Sequence, residues 1–94
     1  MKDKNDVIPL LHRLKRPTFF TRDADFYKTD LCQMAYCLVF LDIPADEAAE
    51  YTRRLLRHSS FRAQAKRMGK VIRVRSTGVS WWEIHDKSEH ALSW

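Results

Sequence analysis

The sequence predicts an α+β domain: a small core of three to four helices, followed by a C-terminal β-hairpin. Three observations carry this expectation. Apolar residues recur at helical spacing over 31–41 and again over 48–56. Residues 70–75 and 79–85 read as two β-prone runs around Ser76-Thr77-Gly78, a turn-forming triplet. Only two Gly and three Pro interrupt 94 residues, so regular elements with short connections are expected. That length makes one domain, with residues 1–6 and 87–94 as flexible or loosely docked tails.

The elements follow in order. Val7, Ile8, Leu10, Leu11 and Leu14 form a short apolar stripe. Pro9 suits a first helical turn and Pro17 a stop, which predicts a helix over about 8–15. Thr18-Phe19-Phe20-Thr21 is β-prone and predicts one short strand. Asp23-Ala24-Asp25 reads as a turn or a cap, with Phe26 and Tyr27 packing on the core. Asp30 is a good N-cap, and Gln33 three places later completes a weak capping box. Leu31, Met34, Ala35, Leu38 and Leu41 then keep helical spacing, while Cys37, Val39 and Phe40 extend the apolar surface nearly all the way round. This predicts a central buried helix ended by Asp42-Ile43-Pro44.

Asp46, Glu47 and Glu50 open the next helix, and Arg53, Arg54 and Arg57 close it, a polarity that complements the helix dipole. Glu50 and Arg54 stand at i,i+4 and predict an ion pair. The apolar pattern breaks at His58-Ser59-Ser60. A turn there, with Ser59 or Ser60 capping a second helix over about 60–68, is preferred to one bent helix over 46–68. Gly69 is a natural C-terminal cap. The hairpin is expected to turn through three residues with Gly78 in the left-handed conformation, setting Arg75 opposite Val79 and Arg73 opposite Trp81.

Charge is unevenly distributed. Residues 1–50 hold seven basic and nine acidic side chains, a balance of −2, whereas residues 51–94 hold ten and three, a balance of +7. Between Tyr51 and Trp82 stand nine Lys or Arg and no acid. An excess of this kind speaks about partners, and polyanions are the commonest. Cys32 and Cys37 would lie about 140° apart on one helix, so free thiols in a reducing compartment are expected. No signal-like apolar stretch follows the N-terminus, and the apolar run Met34–Leu41 is far too short to span a bilayer. A soluble, cytoplasmic chain is the reading.

The predicted order of helix, helix, turn, short helix and two-stranded hairpin over roughly 30–85 resembles the winged helix-turn-helix family. The resemblance implies a DNA-binding transcription regulator, with helix 60–68 in the major groove and the hairpin as a wing. Its groove-facing residues would be Arg62, Gln64, Lys66 and Arg67, with Arg73, Arg75 and Trp81 on the wing. Arg57 and Lys70 extend the basic set. Independently of the resemblance, Lys and Arg neutralise phosphates and release counterions; about six contacts would give a log–log salt slope near −5. Trp81 between Arg73 and Arg75 would suit stacking on an unpaired base.

Two further functions are compatible with the sequence. A protein-interaction module, a small inhibitor or adaptor, would dock the basic face on an acidic or nucleic-acid-binding partner. A small endoribonuclease would draw on Arg73, Arg75, His58 and His85 for acid–base chemistry. No catalytic motif, phosphate-binding Gly loop or cofactor signature is present. His12, His58, His85 and His90 make no recognised spacing, and Cys32 and Cys37 cannot share an ion, so no metal site is expected.

Overall fold

The run Cys37–Leu41, expected at the heart of a helix, is a strand, and every residue in it is buried. The computed structural model describes residues 8, 13–14, 17–28, 31–84, 86 and 88–94. Its frame is a sheet of five strands in sequential order: β1 (Thr18–Thr21), β2 (Cys37–Leu41), β3 (Lys70–Arg75), β4 (Gly78–Glu83) and β5 (His90–Ser93). β1, β2 and β3 run parallel to one another, and β4 and β5 are added antiparallel.

The helical core is therefore corrected to a mixed sheet. The helices that run wholly within the described residues are α1 (Ala48–Arg57) and the single turn α2 (Gln64–Arg67), besides 3-10 turns at Ala24–Phe26 and Ala45–Glu47. The physical reason is burial. A strand covered on both faces has no polar side, so it reads as an all-round apolar run rather than an alternating one. β-Branched Val39 and aromatic Phe40 also pack well on a pleated surface.

Alternation along β2 and β3 separates two cores. Val39, Leu41, Ile72 and Val74 point to one face, where Tyr51 and Leu55 of α1, Phe61 and Met68 cover them. Leu38 and Val71 point to the other, where Phe26, Cys32 and Tyr36 from the β1–β2 connection cover them. The β1–β2 connection thus crosses one face and the β2–β3 connection the opposite one. The predicted helix over 8–15 and the Asp30 cap lie largely or wholly outside the described residues.

Several local expectations meet the structure directly. Thr18–Thr21 is a strand as predicted. Asp23 caps the Ala24–Phe26 turn, its Oδ1 accepting from the Asp25 amide at 2.9 Å. The 46–68 stretch is two helices, broken at His58, whose backbone turns to extended geometry. Gly69 stands after α2 at φ 83°, a left-handed conformation that glycine adopts without cost. The second helix differs from expectation: it begins at Gln64, with Ala63 and not a serine at its N-cap.

The hairpin register also differs. Arg75 faces Gly78, Val74 faces Val79, Ile72 faces Trp81 and Lys70 faces Glu83, so the turn holds two residues, Ser76 and Thr77. Gly78 is not in the left-handed region. It is small for another reason: a Cβ there would sit 2.3 Å from the Leu92 carbonyl oxygen of β5. The fifth strand, drawn from residues read as a tail, explains the glycine.

A sheet with one substantial helix is not a winged helix-turn-helix. The groove-inserting helix of that family is replaced by a four-residue turn. The expectation of a DNA-binding transcription regulator falls with it. No described helix is long and apolar enough to cross a membrane.

Candidate nucleic-acid interface

α1 places its charges by simple periodicity. Tyr51 and Leu55 face the sheet, which turns Arg53, Arg54 and Arg57 outward to solvent. Arg62 and Lys66 are exposed on the segment that follows, which packs on the same face of the sheet through Phe61 and Met68. None of these five cations has a carboxylate at ion-pair distance among the described residues. The expected Glu50–Arg54 pair is not made. Instead the Arg54 guanidinium lies over the Tyr51 ring at 4.8 Å and over the Trp94 ring at 5.5 Å. Arg53 and Arg57 stand at i,i+4, a like-charge arrangement that costs a helix a few tenths of a kcal/mol. This repulsion opposes the favourable interaction of the same arginines with the C-terminal end of the helix dipole.

An aromatic group borders it. Trp94 packs against Tyr51, with centroids 6.2 Å apart, and against His58, also at 6.2 Å. Its indole nitrogen donates to the Arg75 carbonyl at 2.7 Å, which fixes the ring. Trp94 is half-buried and lies beside Arg54. His58 Nδ1 accepts from the Ser60 amide at 3.1 Å, which holds the α1–α2 bend. Tyr51, Arg54 and Trp94 were not among the candidates from sequence. Forty-three positions separate Tyr51 from Trp94, and only the β5 pairing brings them together.

The predicted site residues divide. Arg57, Arg62 and Lys66 share the helical layer with exposed Gln64; Lys66 Nζ reaches the Ser59 carbonyl at 3.0 Å. Arg67 is structural: it donates to Thr18 Oγ1, to the Phe61 carbonyl and to the Arg62 carbonyl at 2.9–3.0 Å, clamping the α1–α2 loop to β1. Lys70 bonds the Lys66 carbonyl and lies 3.9 Å from Glu83. Trp81 does not sit between two arginines. It packs edge-on against Phe61 at 5.2 Å and stacks on His90 at 5.5 Å, on the α1 face of the sheet.

Arg73 and Arg75 project from the opposite face, because they alternate with Ile72 and Val74. Arg73 pairs with Asp42 at 2.5 Å and lies 5.9 Å from the Tyr27 and Phe40 rings. Tyr27 donates to Glu89 and hydrogen-bonds Ser80 at 3.0 Å. Burial, aided by the Glu89 hydrogen bond, pushes its phenol well above the ordinary range. Arg75 Nε is buried with no hydrogen-bond partner among the described residues. The grouping of Arg73 and Arg75 with His58 for acid–base chemistry is thus split by the sheet, and His85 lies outside the described residues.

Comparison with protein-family models, curated proteins and solved structures gave no match. For metal chemistry, Glu83, Asp86 and His90 converge at the β4–β5 connection.

Proposed function

We propose that the chain is a small basic module that binds single-stranded RNA along the outer surface of α1 and the α1–α2 segment. The observation that carries this is the set Arg53, Arg54, Arg57, Arg62 and Lys66, all exposed, all on one layer, and none paired with a carboxylate among the described residues. Ordinary surfaces mix charges of both signs. Unpaired cations on one layer form a track for phosphates, and neutralising them releases counterions from the nucleic acid.

An unpaired strand fits better than a duplex. Groove reading needs a helix or ribbon that enters the groove, and α2 is a single turn. Trp94, steadied by Tyr51, His58 and Arg54, offers a part-exposed aromatic ring on which an unstacked base can lie. Such stacking contributes about 1–3 kcal/mol per base and tolerates any sequence. Guanidinium groups over aromatic rings add a cation–π contribution.

The test is fluorescence anisotropy with a short unstructured RNA over a range of salt. Five phosphate contacts predict a log–log slope of about −3.5. The double reversal Arg57→Glu/Arg62→Glu should lower affinity by more than about tenfold and flatten the slope, since two contacts are lost. Its unfolding transition should stay close to that of the parent, as both side chains are exposed. Failure of the parent to bind at low salt, or unaltered binding by a folded double variant, would count against the proposal and favour an acidic protein partner.

A further inference from the structure

Where β4 ends and β5 begins, three side chains of metal-ligating type turn toward one point. His90 Nε2 lies 2.7 Å from Asp86 Oδ2. Glu83 completes the group, and one ligand atom from each of the three falls within 4.8 Å of the other two. We propose that Glu83, Asp86 and His90 form a binding site for a divalent transition-metal ion, with zinc as its representative.

Each ligand is already oriented by a partner that does not compete for the ion. The Trp81 indole N–H donates to Glu83 Oε1 at 3.0 Å. The Ser88 amide donates to Asp86 Oδ1 at 2.9 Å, which leaves Oδ2 directed at the imidazole. The Trp81 ring stacks on the His90 ring at an interplanar angle of 18°, which sets the plane in which Nε2 projects. Outer contacts of this kind hold first-sphere ligands in place and raise affinity.

An ordinary Asp86–His90 ion pair explains only two of the three residues. Glu83 is held beside that pair by Trp81 and Lys70, which brings a second carboxylate near the first, where like charges repel. Lys70 offsets part of that charge from 3.9 Å. A divalent ion neutralises both carboxylates at once. The imidazole argues for a borderline ion such as zinc over magnesium or calcium, which take oxygen ligands. Zinc holds nitrogen and oxygen ligands at about 2.0–2.2 Å in tetrahedral geometry. His90 and Asp86, now 2.7 Å apart, would have to separate by somewhat under 1 Å on that geometry to admit the ion between them. Three protein ligands leave a fourth position for water, the pattern of an open site.

This inference rests on the three ligand side chains alone and does not depend on RNA binding. Titration calorimetry of the untagged chain with zinc chloride tests it. The expected result is one saturable site per chain, weakened at least about tenfold in each of E83Q, D86N and H90Q and unchanged in H58Q. Magnesium chloride should give no saturable heat. As a check that needs no variant, zinc added to the parent should shift the ring signals of His90 in a nuclear magnetic resonance titration and leave those of His58 in place. No saturable zinc binding, retention of full affinity by H90Q, or an unshifted His90 ring would overturn the assignment.

Discussion

Single positions show how burial changes chemistry. Cys37 is wholly buried on β2, and this burial pushes its thiol up to about 12, against which nearby Arg67 and Lys70 act only weakly. A thiol raised in the folded state keeps its full contribution below the unfolded value of about 8.5 and loses it as pH climbs toward the folded value. Alkaline titration should therefore destabilise the protein progressively above about pH 8.5, and Cys37→Ala should lessen that slope; an identical pH profile in the variant would refute the assignment. Below that range the native thiol should resist alkylation and react promptly once the chain is unfolded. Cys32 is also buried and forms no disulfide. The sequence indicated two unbridged cysteines, but on the wrong scaffold, since a helix was assumed for a strand. At Trp81 the one-residue difference in turn length decided everything: pairing with Ile72 rather than Arg73 moves the ring to the α1 face, because a slip of one residue inverts every side chain.

At the level of elements, those read correctly were the ones with a polar side. Ala48–Arg57 shows an apolar stripe against a charged face, and Lys70–Arg75 is bounded by Gly69 and a turn, so both were legible. β2 has no polar side and was not. β5 has few apolar residues, and half of its surface is open, so nothing in His90–Ser93 announces a strand. Its clearest trace lies elsewhere, in Gly78, whose missing side chain makes room for the Leu92 carbonyl. Gly78→Ala should force β5 away from β4, because a Cβ 2.3 Å from backbone oxygen cannot be accommodated by a side-chain adjustment. The expected outcome is a loss of stability of a few kcal/mol, of the size seen for overpacking. Trp94 should gain exposure in the same variant, read as a red shift of its fluorescence; a variant with parental stability and emission would show that β5 is placed differently. The metal-type cluster escaped notice for a related reason. Glu83, Asp86 and His90 make no recognised ligand spacing along the chain, and the β4–β5 pairing, which sets His90 opposite Trp81, is what brings them together.

For the whole molecule, the sheet imposes a gradient of protection. β3 is central, paired on both sides, with Val71, Ile72 and Val74 fully buried. β1 and β5 are edges. Amide hydrogen exchange should be slowest for residues 71–74 and clearly faster in β1 and β5, as local opening starts where pairing is one-sided; uniform protection across the five strands would contradict this. The charge imbalance between the two halves of the chain was readable from the sequence, but its distribution in space was not. The first-half acid Asp42 engages Arg73, while the arginines of α1 stay unpaired, a division that depends on which face of the sheet each residue meets.

One feature of the topology has a geometric consequence for handedness. β1, β2 and β3 are parallel and step across the sheet in a single direction, yet their two connections pass over opposite faces. Two such crossovers are necessarily of opposite chirality, so one of them breaks the right-handed preference that sheet twist imposes on nearly all units of this type. Had both obeyed it, both connections would have lain over the same side of the sheet. The unusual chirality is what lets a short chain wrap the middle of its sheet on both sides.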